Sequence, residues 1–460
     1  MHSSWVRRVF LFLLLALFLL PLSGCTVPVL NQELCLPPSV PLLGGNCNSS
    51  PSSTGKNVNL TYWGLWEPKE VFQPLIEAYQ QQHPQTKIDY QPREIERYFE
   101  TVLTHLKEGM APDIIRVHNT WVPYLRPYLS SIPEDVLSIS EYEQRFYPVT
   151  KETLFRDGKY YALPLEVDTL GLIYNRSLFT QAGITQPPRT WDEFKVVSKK
   201  LTKKDATGNI IQAGAAIGFT TGIEHFNDLL GLLMAQNQVQ FQNAQGQLIF
   251  HLNLSAQGDN LAADVLSFYR LFQGENQVWN PAWPSAIEAF AQGKVAMIFA
   301  PSFRILDILA LNPRLPLATA PVPQLTNNVS QQVNWASYWV EVVAKNSPHQ
   351  EQAWQFLKFL TERENLKLMF QTASPQYRPF GEPYPRPDMA DELSRNSYLQ
   401  PFVQQATNAV SWNFVDGTQD RILNDRIKEI LQTELNKNLP LEETLNKMAE
   451  QISIVISNIN

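Results

Sequence analysis

The chain has 460 residues, of which 44% are hydrophobic and 18% charged, a composition that excludes wholesale disorder. This length is too great for one comfortable hydrophobic core and predicts two lobes or domains. The formal net charge of −7 argues against nucleic acid as a partner, because binding to phosphates depends on Lys and Arg.

The N-terminus has the pattern of an export signal. Arg7 and Arg8 form a positive region, residues 9–20 form an apolar region too short to span a membrane comfortably, and Leu22-Ser23-Gly24-Cys25 looks like a bacterial lipobox. We therefore expect a signal peptide at residues 1–24 and acylation of Cys25, which would anchor the protein to a membrane. An uncleaved signal anchor is the alternative.

Residues 25–56 are rich in Pro, Ser, Gly and Asn and lack a hydrophobic period, which predicts a lipidated flexible tether. Cys35 and Cys47 lie in this stretch, and an exported chain meets an oxidising compartment, so a disulfide and two unbonded thiols are both open. The 7 His are scattered without a CxxC or HExxH pattern, and we expect no metal site.

The first elements after the tether alternate between strand and helix. The pattern predicts strands at residues 58–63, 88–90 and from 111, with amphipathic helices at 69–82 and 95–108. Such an order predicts an α/β fold with mixed, mainly parallel sheets flanked by helices.

Residues 155–194 contain the strongest local signals. Asp157-Gly158 predicts a hairpin turn, residues 170–174 a buried strand, Gly183 a helix end, and Thr190 with Glu193 a reciprocal capping box. Further elements are predicted from periodicity and turn residues: strands at 213–219, 295–299 and 335–344, a polar hairpin at 236–247, and helices at 193–201, 226–236, 261–272, 287–293, 351–361, 420–435 and 441–456.

Three separated motifs resemble the bacterial family 1 extracellular solute-binding proteins. They are G-x-x-Y-A-L-P leading to Y-N, L-F, A-G-I, P-P and T-W-D-E-F (residues 158–194), A-F-x-x-G-K-x-A-M (289–297) and A-W-x-F-L-K-F-L-T (353–361). The family usually has a G-x-W element after the second motif, whereas this chain has Pro301-Ser302-Phe303. With the A-P-D-I-I stretch at 111–115, the likeness covers most of residues 58–456.

The resemblance implies a type II-like periplasmic-binding-protein fold, in which two lobes enclose a ligand cleft. The first lobe would comprise residues 57–166 and a return segment at 331–390, and the second lobe residues 167–330 and the C-terminal helices at 391–460. Hinges are expected near residues 166–169 and 321–334.

A sugar offers apolar C–H faces and hydroxyl rims, so a carbohydrate cleft is expected to combine aromatic platforms with polar side chains. Ligands of open α/β sheets lie beyond the carboxyl ends of the strands. The candidate ligand-binding residues are Trp63, Trp66, Glu67, Asn119, Asp168, Glu224, Trp283, Ser302, Phe303, Trp335, Tyr338 and Arg378. Core packing of the aromatics, and loop or cap roles for the polar residues, are the competing interpretations.

By this resemblance, the chain is the lipid-anchored, extracytoplasmic and monomeric sugar- or oligosaccharide-binding component of an ABC importer. Its partners would be permease subunits and their ATPase. No P-loop, G-x-S-x-G or dinucleotide motif is present, so we expect neither a cofactor nor catalysis. The alternatives are an extracytoplasmic hydrolase using two of Glu166, Asp168 and Glu224, a structural or adhesion lipoprotein, and a binding protein for another solute such as a glycerol phosphate or polyamine.

Overall fold

A computed structural model describes residues 57–243, 247–374, 376–412, 427–433 and 440–459. The predictions for the signal peptide, the tether, Cys25, Cys35 and Cys47 lie outside these residues, as does most of the helix predicted at 420–435. None of the helices in the described ranges is long and apolar enough to cross a membrane.

Strands and helices are interspersed along the chain. The strands are β1 Val58–Leu65, β2 Thr86–Arg93, β3 Ile114–His118, β4 Phe155–Arg156, β5 Lys159–Tyr160, β6 Leu163–Pro164, β7 Gly171–Asn175, β8 Lys203–Lys204, β9 Ile210–Gln212, β10 Met297–Ala300, β11 Leu317–Ala320, β12 Asn334–Trp335, β13 Trp339–Val343 and β14 Ala409–Val410. The α-helices are α1 Lys69–Gln82, α2 Tyr98–Glu108, α3 Val122–Leu125, α4 Ile139–Arg145, α5 Val149–Leu154, α6 Arg176–Gln181, α7 Trp191–Leu201, α8 Phe226–Gln236, α9 Leu261–Arg270, α10 Ala286–Ala291, α11 Arg304–Leu311, α12 Gln350–Leu360, α13 Arg363–Ala373, α14 Ala390–Leu393, α15 Gln400–Gln405, α16 427–433 and α17 Leu441–Ile459. Short 3₁₀ turns are Asn119–Trp121, Arg126–Tyr128, Phe250–Leu252, Gly274–Asn276, Val329–Gln331, Pro387–Met389 and Ala406–Asn408.

The first lobe is built on a five-stranded sheet in the order β2-β1-β3-β13-β6. Helix α1 covers it with the apolar stripe that the sequence predicts, and Phe72 on that stripe packs edge-on against Tyr62 of β1, with 5.5 Å between ring centroids. Each fully buried side chain of this size contributes roughly 1.5–3 kcal/mol, so the stripe fixes α1 on the sheet.

The second lobe contains a three-stranded antiparallel sheet in the order β10-β7-β11. Helix α7 packs here through Trp191, whose ring lies 5.6 Å from that of Phe299 in β10. Helix α17 contacts α9. The C-terminal helix therefore packs on a helix that the chain forms between β7 and β10.

The chain changes sheet twice, between β6 and β7 and between β11 and β13. The two crossing segments pair with each other: Thr169 forms an antiparallel bridge with Ala336, and the Ser337 N–H donates to the Asp168 carbonyl at 3.1 Å. A third segment joins them, since the Ala336 N–H donates to the Val410 carbonyl at 2.9 Å. Adjacent paired segments of this kind connect the two lobes.

Several local predictions are confirmed. Helices α1 and α8 have the predicted bounds, and Asp157 and Gly158 both adopt positive φ (51° and 75°) in the turn between β4 and β5. Gly183 follows α6 with φ 66°, as expected of a helix end; the cap at the other end, where Asn175 accepts from the Ser177 and Leu178 N–H groups, was not predicted.

Other predictions are corrected. Among the described strands, β1–β2, β1–β3 and β12–β14 pair in parallel and the other strand pairs are antiparallel, so the sheets are mixed but not mainly parallel. The cause lies in β13, which starts at the edge where β3 ends: Trp339 is the partner of His118, and the returning strand must run antiparallel. The strand predicted at 335–344 is split into β12 and β13, because residues 336 and 337 pair with the other crossing segments.

Two further predictions fail locally. Residues 213–219 form no strand beyond a single bridge from Ala213 to Val295, since Gly218 has φ 90° and Gly214 packs directly on the backbone of α7. In the capping box, the Thr190 hydroxyl accepts from the Glu193 N–H as predicted, but the Glu193 carboxylate accepts from Arg189 N (2.7 Å) instead of Thr190 N. Residues 189–191 pair in an extended conformation with Gln324, which shifts this contact by one residue.

Candidate functional site

Trp66 stands at the carboxyl end of β1 in a strained turn. The Glu67 N–H donates to the Leu65 carbonyl at 2.8 Å, which closes a three-residue turn around Trp66, and Trp66 has φ 62°. A left-handed conformation costs a residue with a Cβ roughly 1–2 kcal/mol, and such strain often accompanies ligand contacts. The Trp66 side chain remains 50% exposed. This turn therefore holds an aromatic ring at the rim of the first lobe.

Trp66 belongs to an aromatic group at the edge of the first sheet. Its ring lies 4.6 Å from that of Trp339, and Trp339 lies 5.1 Å from His118 and 5.2 Å from Trp121, all edge-on. The antiparallel pairing of β13 with β3 produces this group, because it sets Trp339 opposite His118. Trp339 and Trp66 are the members of the group that are not buried.

His118 connects the aromatic group to the crossing segments. Its Nδ1 lies 2.8 Å from the Thr120 hydroxyl and its Nε2 lies 3.1 Å from the Ser337 hydroxyl. Burial lowers the pKa of His118 to about 4, although the nearby Asp228 carboxylate acts in the opposite direction. The imidazole is therefore neutral at physiological pH and serves as a polar, uncharged contact between the lobes.

The second lobe contributes a hydrogen-bonded chain that starts at Asp228, in the first turn of α8. The Asp228 carboxylate accepts from Trp335 Nε1 at 2.9 Å and from His225 Nδ1 at 3.0 Å, and Arg304 Nε donates to His225 Nε2 at 2.9 Å. His225 must then carry its proton on Nδ1. Burial acts to raise the pKa of Asp228, but these bonds outweigh it and hold the pKa below its ordinary value.

Phe303 is the exposed aromatic residue beside this hydrogen-bonded chain of the second lobe. It precedes α11, its ring is 38% exposed, the Arg304 guanidinium lies 5.0 Å from its centroid, and His225 lies 6.1 Å away. Contacts run from Trp66 through Trp339 and His118 to Ser337, and from Trp335, two residues earlier in the same crossing segment, through Asp228 and His225 to Phe303. They define the candidate cleft surface.

The hydrogen bonds between Asp168 and Ser302 link the crossing segment between β6 and β7 to the residues just before α11. Asp168 Oδ2 accepts from the Ser302 N–H (2.9 Å) and hydroxyl (2.8 Å), while Oδ1 accepts from the Thr169 N–H (2.8 Å). Burial raises the pKa of Asp168 to about 7 despite these three donors. Both side chains are buried, which assigns them a structural contact in this conformation.

The structure places several other predicted residues in protein contacts. Tyr338 is fully buried with its hydroxyl 2.6 Å from that of Thr153, and Asn119 donates to the Ser411 hydroxyl at 3.0 Å. Trp335 is buried against α8 in addition to its bond to Asp228. Trp63 donates to Gln91 at 3.2 Å beneath Arg93, on a different part of the first lobe from the aromatic group.

The remaining predicted residues divide between the two lobes. Glu67 is buried and pairs with Arg378 at 2.8 Å. Glu224 is exposed and accepts from Ser285 and, at 3.2 Å, from the Ala286 N–H, so it caps α10. Trp283 is partly buried, with its ring 5.6 Å from that of Trp279.

Five residues of this surface are absent from the candidate ligand-binding residues chosen from the sequence, namely Trp339, His118, Asp228, His225 and Arg304. Alternation along β13 signals Trp339, because Tyr338 and Val340 point into the core and the residue between them points out. The pairing of Asp228 with Trp335 spans 107 residues and has no local signal.

Rings with exposed faces, hydroxyls and a carboxylate can stack on and hydrogen-bond a small polar solute. Within the described ranges, no three or more His, Cys, Asp or Glu side chains are grouped to hold a metal ion. The carboxylates of this surface are engaged in hydrogen bonds to protein donors.

Fold and site together define the class of protein: a two-lobed binding protein with a cleft surface at the crossing segments. The sequence model of the bacterial extracellular solute-binding proteins matches residues 65–367, and the chain belongs to that family.

Related proteins align with most of the length of this chain. The multiple sugar-binding protein of Streptococcus mutans is 21% identical over 372 residues, which are 78% of this chain and 83% of that protein. The sugar-binding protein MalE of Xanthomonas citri superposes with a TM-score of 0.70 at 18% identity, covering 87% of this chain and 98% of its own. An ABC transporter solute-binding protein of Thermotoga lettingae, bound with α-D-tagatose, superposes with a TM-score of 0.65 at 21% identity, covering 86% and 99%. These superpositions show the shared fold.

Proposed function

We propose that this chain is the solute-binding component of an ABC importer and binds a sugar or oligosaccharide between its lobes. The single observation that carries the proposal is the pair of exposed rings, Trp66 on the first lobe and Phe303 on the second, each linked through side-chain contacts to the crossing segment at residues 335–337. Sugar rings stack on aromatic faces while their hydroxyls bond polar side chains. The names of the relatives support the same ligand class.

In this proposal the hinges lie near residues 166–169 and 321–334, with lobe boundaries at 57–166, 167–330, 331–390 and 391–460. Ligand would draw Trp66 and Phe303 together by rotation of one lobe about the crossing segments. Those segments are suited to the role, because a few main-chain bonds between Thr169, Ala336 and Val410 join them. The closed form would bury the sugar in a dry, complementary space.

Delivery follows from the proposed location. A lipid on Cys25 would hold a monomer outside the cytoplasm, with residues 25–56 as a tether that lets the closed form reach the permease. Permease subunits and their ATPase would supply the work of transport. The chain itself would bind and release its ligand unchanged.

The test compares variants by fluorescence titration against neutral oligosaccharides such as maltotetraose. Trp66→Ala and Phe303→Ala should each weaken binding about three- to tenfold, the value of one aromatic stack. Leu271→Ala is the matched control, because Leu271 is a similarly exposed apolar residue (49%) at the end of α9. Equal affinity for all four proteins would contradict the proposed cleft surface.

A further inference from the structure

A buried cluster of charges lies directly behind Trp66. It consists of Glu67, Arg116, Glu166, Glu341, Arg378 and Glu382, and we call it the Glu67 cluster. Arg116 lies 3.6 Å from Glu67, 3.3 Å from Glu166 and 3.4 Å from Glu341. Arg378 lies 2.8 Å from Glu67 and 3.0 Å from Glu382. The cluster therefore joins β1, β3, β13, a crossing segment and the loop after α13.

Glu67 is held at several atoms. Its Oε1 accepts from Arg378 Nη2, its Oε2 faces Arg116, and its carbonyl accepts from the Tyr90 hydroxyl at 2.8 Å. The position of Tyr90 is itself fixed, because a Cβ at Gly64 would overlap the Tyr90 ring. Leu65, on the other side of Trp66, is fully buried. Both neighbours of Trp66 are thus immobilised.

The chain reverses direction between Leu65 and Glu67, and Trp66 is the residue at the turn. That explains why a residue with a Cβ adopts φ 62° at this position, with its ring directed away from the core. Loss of Arg378 would leave Glu67 held only by Arg116 and the Tyr90 hydroxyl, and we expect a wider range of φ at Trp66 and a looser contact of its ring with Trp339.

We propose that Arg378 and Glu67 are positioning residues: their ion pair holds Trp66 in its left-handed turn and presents the ring for stacking. This inference rests on the proposed function for its consequence in binding. Glu67 and Arg378 were candidate ligand contacts from the sequence, and in this proposal they affect ligand binding only indirectly, through Trp66. It also makes the loop after α13, which lies 311 residues from Glu67 in the chain, a determinant of affinity.

The primary experiment needs no ligand. The full-length chain is labelled with 5-fluorotryptophan, and the 19F resonance of Trp66 is assigned by its loss in Trp66→Phe among the resonances of the 11 Trp. Arg378→Met should shift and broaden the resonances of Trp66 and Trp339 while that of the buried Trp354 stays in place. Arg378→Lys, which keeps one charged donor, should restore the Trp66 resonance in part.

Two control variants separate positioning from general loss of structure. Glu392→Gln removes an exposed carboxylate that pairs with Arg363, so the Trp66 resonance should stay unchanged. Arg363→Met removes an exposed arginine that pairs with Glu392 and should also leave it unchanged. An unaltered Trp66 resonance in Arg378→Met would overturn the proposal. Should that variant not fold, an unaltered resonance in Arg378→Lys and Glu67→Gln would overturn it equally.

The consequence in binding is tested with maltotetraose as the probe. Arg378→Met should weaken its binding about three- to tenfold in the native background. In a Trp66→Ala background the same change should have no further effect, because its action passes through the ring. Equal weakening in both backgrounds would overturn the positioning role. Absence of maltotetraose binding to the native protein would count against the proposed sugar function alone, and the 19F result would still decide the inference.

Discussion

The stability of this protein should fall as pH rises from about 5 to 8, and Glu341 should be a main cause. Glu341 is fully buried in the Glu67 cluster, where Arg116 is shared among Glu341, Glu67 and Glu166. The cluster holds two guanidinium groups against four carboxylates, so the carboxylate charges are not fully compensated. Burial accordingly raises the pKa of Glu341 to about 7 from the ordinary 4.5.

The magnitude follows from proton linkage. Between pH 4.5 and 7 the folded protein retains a proton on Glu341 that the unfolded chain releases, so the contribution to stability is complete below pH 4.5 and is lost as pH rises through 7. At about 1.4 kcal/mol per pH unit, the loss amounts to about 3 kcal/mol. Glu382 adds to it with the same sign, because burial raises its pKa to about 8.

Urea denaturation at pH 5, 6, 7 and 8 measures this dependence. Glu341→Gln keeps the shape and removes the titration, so its free energy of unfolding should decline by about 3 kcal/mol less over this range than that of the native protein. Glu351→Gln, an exposed position on α12, is the control and should behave as the native protein. Parallel declines in the native protein and Glu341→Gln would refute the reasoning.

Glycine positions give further predictions. A methyl group at Gly214 would overlap the carbonyl oxygen of Ser198 in the backbone of α7, so Gly214→Ala should lower the free energy of unfolding by about 3 kcal/mol. Gly208→Ala meets no neighbour within 4 Å and bears only its φ of 89°, so urea denaturation should show a loss of about 1 kcal/mol; similar values for the two would contradict the packing. Gly231→Ala would place a methyl group 2.5 Å from the Trp335 ring and break the hydrogen bond from Trp335 to Asp228. The tryptophan emission should shift, and the free energy of unfolding should fall by about 2 kcal/mol. An unchanged emission spectrum would count against this contact.

The parts of the fold that could be predicted depend on short-range chemistry. The stripe on α1, the positive φ of Gly158 and the helix end at Gly183 are each determined within a few residues, and these features are found in the structure. The motif order that identifies the family is also local to three stretches. The predictions that were wrong, such as the direction of β13, concern features that depend on where a strand returns from the other lobe.

The site was less predictable because burial is set by distant contacts. Asn119 is buried by its bond to Ser411, 292 residues away, and Glu67 by Arg378. Residue type alone does not separate such groups from ligand contacts. Trp66 was expected from the rule that ligands lie beyond strand ends and Phe303 from the likeness to the family, and both remain predictions as ligand contacts.

The central claim is that the chain binds an intact oligosaccharide at one site between its lobes. Calorimetric titration of the purified protein against neutral mono- and oligosaccharides, followed by chromatography of the recovered sugar, tests it most directly. We predict saturable binding with a stoichiometry near one and sugar recovered unchanged. Shortened products would contradict the account in favour of a hydrolase, and absence of heat with every sugar would contradict the ligand class.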